Sequence, residues 1–273
     1  MKIAAIGRNP INSPQMTGND AAILHGTADE LRQLGAEVDI FDDGDEFVAE
    51  NYDALFHMSR TESTLQQLQR IEEIIPVTNT TDAVRRCSRK EQVTLLEGAG
   101  IRQPFFSFLN TDSKETHTGF PVWLKKSSGW SCHADDVCHA RNEKELECAM
   151  NSFRRRGIEE VLCCKHIDGD VVKFYGVGNI FFHYSYPDPE KTKFGLEKIN
   201  GPTQNHPFDA ENLKQLAFAA AKSIGVEIFG GDCIITPDGN IYIIDINDFP
   251  AFSCCRTKAA KAIAKLIYSK AKP

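Results

Sequence analysis

Long apolar runs are missing from this sequence: no uninterrupted stretch approaches the roughly 18 residues of a membrane span. The opening MKIAAIGRNP has neither the charged start nor the extended apolar region and cleavage site of a secretory leader, and reads as a buried strand. A cytoplasmic protein with no membrane partner is the expectation. Several common site signatures are absent as well. There is no GxxxxGK(S/T), no HExxH, no GxSxG and no EF-hand loop, which removes the usual phosphate loop, zinc-protease helix, serine-hydrolase elbow and calcium loop. The glycine pair of Gly98-Ala99-Gly100 follows a predicted helix rather than a strand, so it reads as a helix stop. The nine cysteines contain no CxxC pair. Cys132, His133, Cys138 and His139 carry zinc-type side chains without the paired short spacing that lets four ligands converge. Positive charge is in deficit too: 31 basic residues face 38 acidic ones, net −7, which argues against a general nucleic-acid surface.

What is present fits an ordinary globular protein. The 273 residues suggest two compact units at about 150 residues per domain, with one or three allowed. Apolar residues make up 41% and charged residues 25%, far from a disordered composition. Residues 1–100 hold 9 basic and 17 acidic residues, so the acidity belongs to the first third. Eight carboxylates and no Lys or Arg lie between Glu37 and Asp53, a pattern that suits a solvated loop and helix face.

The first third alternates strand and helix signals. Strands are expected at Lys2–Gly7, Val38–Phe41, Ala54–Met58 and Pro76–Asn79, with helices at 20–34, 62–73 and 82–97, a βαβ arrangement implying a parallel sheet. Beyond Pro104 the chain becomes strand-rich. Strands are expected at Phe105–Leu109, Val122–Lys126, Val161–Ile167, Val171–Val177, Asn179–Tyr186, Glu227–Thr236 and Ile241–Ile246, and helices at 143–155, 209–224 and 257–270. A polar stretch from Pro187 to Pro207 reads as a long loop. The fold class is therefore α/β followed by α+β.

Three features point to phosphate chemistry. A strand delivers Lys125 into Lys126-Ser127-Ser128-Gly129-Trp130-Ser131, a small hydroxyl-bearing loop whose backbone suits polyphosphate oxygens. In the C-terminal hairpin GGDCIITPDGNIYIIDINDFP, Asp232 sits near the start of one strand while Asp245 and Asn247 alternate at the end of the next, on one face. Oxygen donors with no imidazole or thiolate match magnesium. In VLCCKHIDGDVVKFYGVG, Lys173 sits among apolar neighbours, where it either faces an anion or guards a sheet edge.

Taken in order, NTTDAVRRCSRKEQVTLLEGAGIRQP, FPVWLKKSSGWS, VLCCKHIDGDVVKFYGVG and IFGGDCIITPDGNIYIIDINDFPAF resemble the successive blocks of the ATP-grasp superfamily, over roughly residues 77–256. The resemblance implies a pre-ATP-grasp α/β domain at 1–100, a central subdomain with a phosphate lid at 101–168, and a C-terminal subdomain with the metal site at 169–273. It implies ATP as cofactor, with Mg2+ or Mn2+ held by Asp232, Asp245 and Asn247. Lys90 and Lys125 resemble the family's phosphate-binding lysines, and Ser127, Ser128 and Gly129 its lid. Cys164, Lys165, His166 and Ile167 occupy the adenine linker, Asp170 stands where a ribose ligand is found, and Lys173 falls near the transferred phosphate.

The implied activity is that of a carboxylate–amine ligase acting on small-molecule or peptide substrates, as in ribosomal-protein glutamate ligases and glutathione synthetase-like enzymes. Arg256 is the candidate for holding the acceptor carboxylate or acyl phosphate, and Arg8 and Arg60 are placed to face the same cleft. An inositol trisphosphate 5/6-kinase type is the alternative, and a nucleotide-binding regulator without turnover the third reading. The oligomeric state stays open.

Overall fold

The computed structural model describes residues 1–14, 16–188 and 196–271. Residues 189–195, the middle of the expected 187–207 loop, lie outside the described residues.

The chain opens as the apolar alternation predicts. Strands β1 (Lys2–Ile6), β2 (Glu37–Phe41), β3 (Ala54–His57) and β4 (Val77–Thr78) form a parallel sheet in the order β2-β1-β3-β4. Both faces of β1 are covered, which is why KIAAI reads as a continuous apolar run. Ile3 and Ala5 pack with Ile23 and Leu31 of α1 (Thr17–Gln33), while Ala4 and Ile6 pack with Leu65 and Leu68 of α2 (Glu62–Ile71).

The helix expected at 82–97 is two helices, α3 (Thr81–Arg86) and α4 (Arg89–Gly98). The chain breaks at Ser88, which is extended at φ −61° and ψ 145°. The Cys87 carbonyl freed by the break accepts a hydrogen bond from Gln92 Nε2 at 3.0 Å, so the interruption leaves it satisfied.

Two antiparallel sheets follow. β5 (Phe106–Asn110), β6 (Val122–Lys126), β7 (Val137–Ala140) and β8 (Glu160–Lys165) pair in the order β5-β8-β6-β7, with α5 (Glu143–Arg155) on one face. The short edge strand β7 was not expected, because its four residues carry no apolar alternation. β9 (Asp170–Val177), β10 (Phe181–Ser185), β11 (Ile228–Ile235) and β12 (Ile241–Asp248) pair in the order β10-β9-β11-β12. One face of this last sheet, with Phe174, Cys233 and Ile243, packs on α6 (Ala210–Ile224) and on Leu96 of α4. The final helix α7 (Arg256–Lys270) returns to the first unit, where Ile263 and Ile267 join the core of α1 and β1.

Candidate active site

The two antiparallel sheets turn alternate residues toward each other across a cavity of about 320 Å³. From the central sheet come Trp123, Lys125 and Cys164; from the C-terminal sheet come Val171, Lys173, Asp232 and Ile234. These are the residues that strand alternation leaves off the core faces, whose occupants are Val172, Phe174, Cys233 and Ile235. The cavity is graded along the strands. Lys173 pairs in register with Asp232, and two residues along, Val171 pairs with Ile234, so one end is charged and the other apolar.

At the charged end a β-bulge changes the expected pattern. Asp232 faces Asp245 but Cys233 faces Ile243, which leaves Ile244 as the extra residue on β12. Neighbouring residues Ile244 and Asp245 both line the cavity as a result, as bulges next to functional sites commonly arrange. The close approach of the strands requires glycine: a Cβ on Gly231 would lie 2.2 Å from the Asp245 carbonyl oxygen. Asp245 is held by neutral donors, Asn247 Nδ2 at 3.0 Å and Gln92 Nε2 at 3.3 Å. Gln92 is buried and its Oε1 accepts the Ile246 N–H at 2.9 Å, so α4 fixes the carboxylate's orientation.

Among the described residues, five basic and two acidic side chains line the cavity. Lys125 Nζ spans from the central sheet to the Ile244 carbonyl at 3.2 Å, and Lys173 Nζ lies 3.1 Å from Asp232. Arg89, the first residue of α4, lines the cavity with its Nε and Nη1 buried and without a hydrogen-bond partner. Two buried donors without an acceptor carry a desolvation cost. Gly129, Trp130 and Ser131 of the loop after β6 also line the cavity, and Trp130 lies over the Arg60 guanidinium at 5.4 Å and packs on the first unit's core.

Beneath Arg60 lies a buried ion network. Asp248, 1% exposed, meets Arg60 at 2.6 Å and Arg8 at 3.6 Å. Burial alone would raise its pKa, but the charges of Arg60 and Arg8 outweigh burial and hold the carboxyl below its ordinary range. Arg8 also donates to the Phe249 carbonyl at 2.8 Å and approaches Asp20 at 3.4 Å.

By sequence the chain matches no family model and no curated protein. Its structure is similar over the full length to solved proteins at low identity. A D-cycloserine synthetase superposes with a TM-score of 0.71 at 15% identity, covering 100% of both chains. A D-Ala:D-Ser ligase from Enterococcus faecalis gives 0.72 at 16%, covering 100% of this chain and 99% of that one. A RimK-domain ATP-grasp protein from Sphaerobacter thermophilus gives 0.69 at 15%, covering 98% of this chain and 100% of that one. The chain has the ATP-grasp fold.

Within that fold the structure sorts the residues singled out from sequence. Lys125, Gly129, Cys164, Lys165, Ile167, Lys173, Asp232, Asp245 and Asn247 line the cavity together. Six others do not. Lys90 points to the surface and pairs with Glu160 at 2.9 Å, and its neighbour Arg89 takes the cavity position; the helix break at Ser88 sets which of the two faces inward. Ser127 is buried and donates to the Glu160 carbonyl at 3.0 Å, while Ser128 is exposed. His166 sits behind the wall, accepting from Trp123 Nε1 at 2.9 Å. Asp170 spends both oxygens on the N–H groups of Gln204 and His206 at 2.7 Å, anchoring the loop that follows β10. Arg256 donates to Asn19 at 2.8 Å and ties α7 to α1. In the linker, the N–H groups of Lys165 and His166 are engaged by the carbonyls of Phe105 and Pro121 at 2.8 and 3.1 Å.

Sequence reasoning missed Arg89, Gln92, Trp123 and Asn200, all cavity residues. The available signal for the first two was their 3-residue spacing on one helix face. Arg60 was foreseen only as facing the cleft, and it lines the cavity, whereas Arg8 lies in the ion network behind it.

Proposed function

We propose that the chain is an ATP-dependent ligase that activates a carboxylate as its acyl phosphate and joins it to an amine. The observation that carries this reading is the meeting, at one end of a single cavity, of Asp232, Asp245 and Asn247 with Lys125, Lys173 and Arg89. The donor set fits magnesium or manganese, since it offers oxygen only, and Arg89, which lines the same cavity, suits a phosphate oxygen. Trp123, Val171 and Ile234 supply an apolar end of the size and character an adenine ring needs.

The bound metal would neutralise charge on the transferring phosphoryl group. The chain's own contribution is positioning and electrostatics. Lys125 and Arg89 hold phosphate oxygens, and Lys173 stands beside Asp232 at the transferred group. Trp130, seated on Arg60, closes the loop over the site and excludes water that would hydrolyse an activated carboxyl. Arg60, rather than Arg256, is the arginine placed to meet the acceptor side.

The ligase reading takes support from the neighbours named D-cycloserine synthetase and D-Ala:D-Ser ligase. The test is ADP release from purified protein with Mg-ATP over pools of amino acids, small dicarboxylates and inositol phosphates, with products weighed by mass spectrometry. Stoichiometric ADP and phosphate with the mass of an amine condensation is expected. A mass gain of one phosphate on a polyol moves the protein to the kinases, and ATP binding without ADP release over every pool makes it a regulator.

A further inference from the structure

The cavity face of the C-terminal sheet carries a second cluster of reactive side chains next to the site already described. His183 lies on the edge strand β10, and Cys254 and Cys255 form the turn into α7. One ligand atom from each lies within 4.8 Å of the other two, the one such group of His, Cys, Asp or Glu among the described residues. The four zinc-type side chains at 132–139 do not converge: the His139 ring packs at a tilt against Trp123, 4.8 Å between centroids, and Cys138 Sγ meets the Asp135 carbonyl at 3.5 Å.

The surroundings of Cys254 are those of an acceptor. The Ser185 hydroxyl lies 3.5 Å from its sulfur. Register places the cluster: Ser185 pairs with Lys173 and His183 with Tyr175 across β10 and β9, so it adjoins the charged end of the cavity. Cys254 is exposed, which gives an ion a path in from solvent.

We propose that His183, Cys254 and Cys255 form a binding site for a thiophilic divalent cation, zinc by the chemistry of its ligands. Two sulfurs and an imidazole are the set zinc takes, at about 2.3 Å to sulfur and about 2.0 Å to nitrogen. Those bonds place ligand atoms roughly 3.5 Å apart in a tetrahedron, so the trio closes by little more than about 1 Å, a movement within reach of rotation at the exposed Cys254. Three protein ligands leave the fourth position for water or a substrate group. Ser185 acts as an outer partner that orients the sulfur. The oxygen-only group of Asp232, Asp245 and Asn247 selects a hard ion, so the two neighbouring sites sort their metals by ligand type. This assignment stands independently of whether the cavity binds ATP.

The test uses the full chain, reduced and metal-free, titrated with Co2+ and followed by near-ultraviolet absorption, then displaced by Zn2+ against a chromophoric chelator. One equivalent per chain with an intense sulfur-to-cobalt band is expected. The double variant Cys254→Ser, Cys255→Ser and the single variant His183→Ala should melt like wild type without metal; the first should lose the band and the second at least about tenfold in zinc affinity. Ser185→Ala should weaken zinc by about tenfold, whereas Cys132→Ser and Cys148→Ser, at exposed sites elsewhere, should bind as wild type does. Absence of the band in wild type, or uptake unchanged in the double variant, overturns the proposal.

Discussion

Asp245 and Asp248 lie three residues apart on the same strand, yet the structure gives them opposite employment. Asp245 faces the cavity and is held by amide donors from Gln92 and Asn247, which orient the carboxylate without cancelling its charge. Asp248 is buried between two guanidinium groups, Arg60 and Arg8, which cancel its charge and fasten the first unit to the end of β12. The carboxylate that faces the cavity is held by neutral donors, and the one buried at the interface is held by cations. The bulge at Ile244 lets the first face the cavity, and the end of the strand turns the second into the interface.

Breaking the second arrangement should have the largest effect. Asp248→Ala leaves two buried arginines without their anion and should lower unfolding free energy by about 3–5 kcal/mol, read from urea unfolding. Asp245→Asn should leave stability nearly unchanged and cut magnesium-dependent ADP release at least about a hundredfold. A variant that instead unfolds would erase the distinction between the two carboxylates. Acid titration sharpens it further. The folded pKa of Asp248 is depressed below the unfolded value of about 3.9, so its stabilisation is complete above that pH and is lost as pH falls through the folded value. Wild type should therefore lose stability below about pH 4 more steeply than Asp248→Asn.

Smaller effects are expected at the supports. Gln92→Leu removes the donor that orients Asp245 and should raise the magnesium concentration needed for half-maximal ATP binding by about tenfold. Lys90→Ala breaks a half-exposed pair with Glu160, worth at most about 1 kcal/mol, and should leave ATP affinity unchanged. Arg89→Ala should weaken it; the reverse order would return the phosphate contact to Lys90.

Much of this was legible in the sequence because it rests on alternation. KIAAI, the C-terminal hairpin and the Asp232, Asp245, Asn247 set follow from strand period two and apolar runs. What escaped depends on departures from regular pattern. Residues 82–97 read as one helix, since nothing but Ser88 marks the break that turns Arg89 and Gln92 inward. A strict alternation cannot place Ile244 and Asp245 on one face. The family resemblance offers Asp170 and its place beyond the metal strand offers Arg256, while the structure engages Asp170 with the N–H groups of Gln204 and His206 and Arg256 with Asn19, long-range partners that no local window contains. The zinc-type residues at 132–139 were close in sequence and do not meet, whereas His183 and Cys254 are far apart in sequence and do.

The chain has two tryptophans, Trp123 and Trp130, and both line the cavity. Their fluorescence during an ATP titration, with and without magnesium, tests the central claim most directly. A saturable, magnesium-dependent change is expected in wild type and in Lys90→Ala, and its loss in Asp245→Asn. No change in wild type, or an equal magnesium-dependent change in Asp245→Asn, would contradict it.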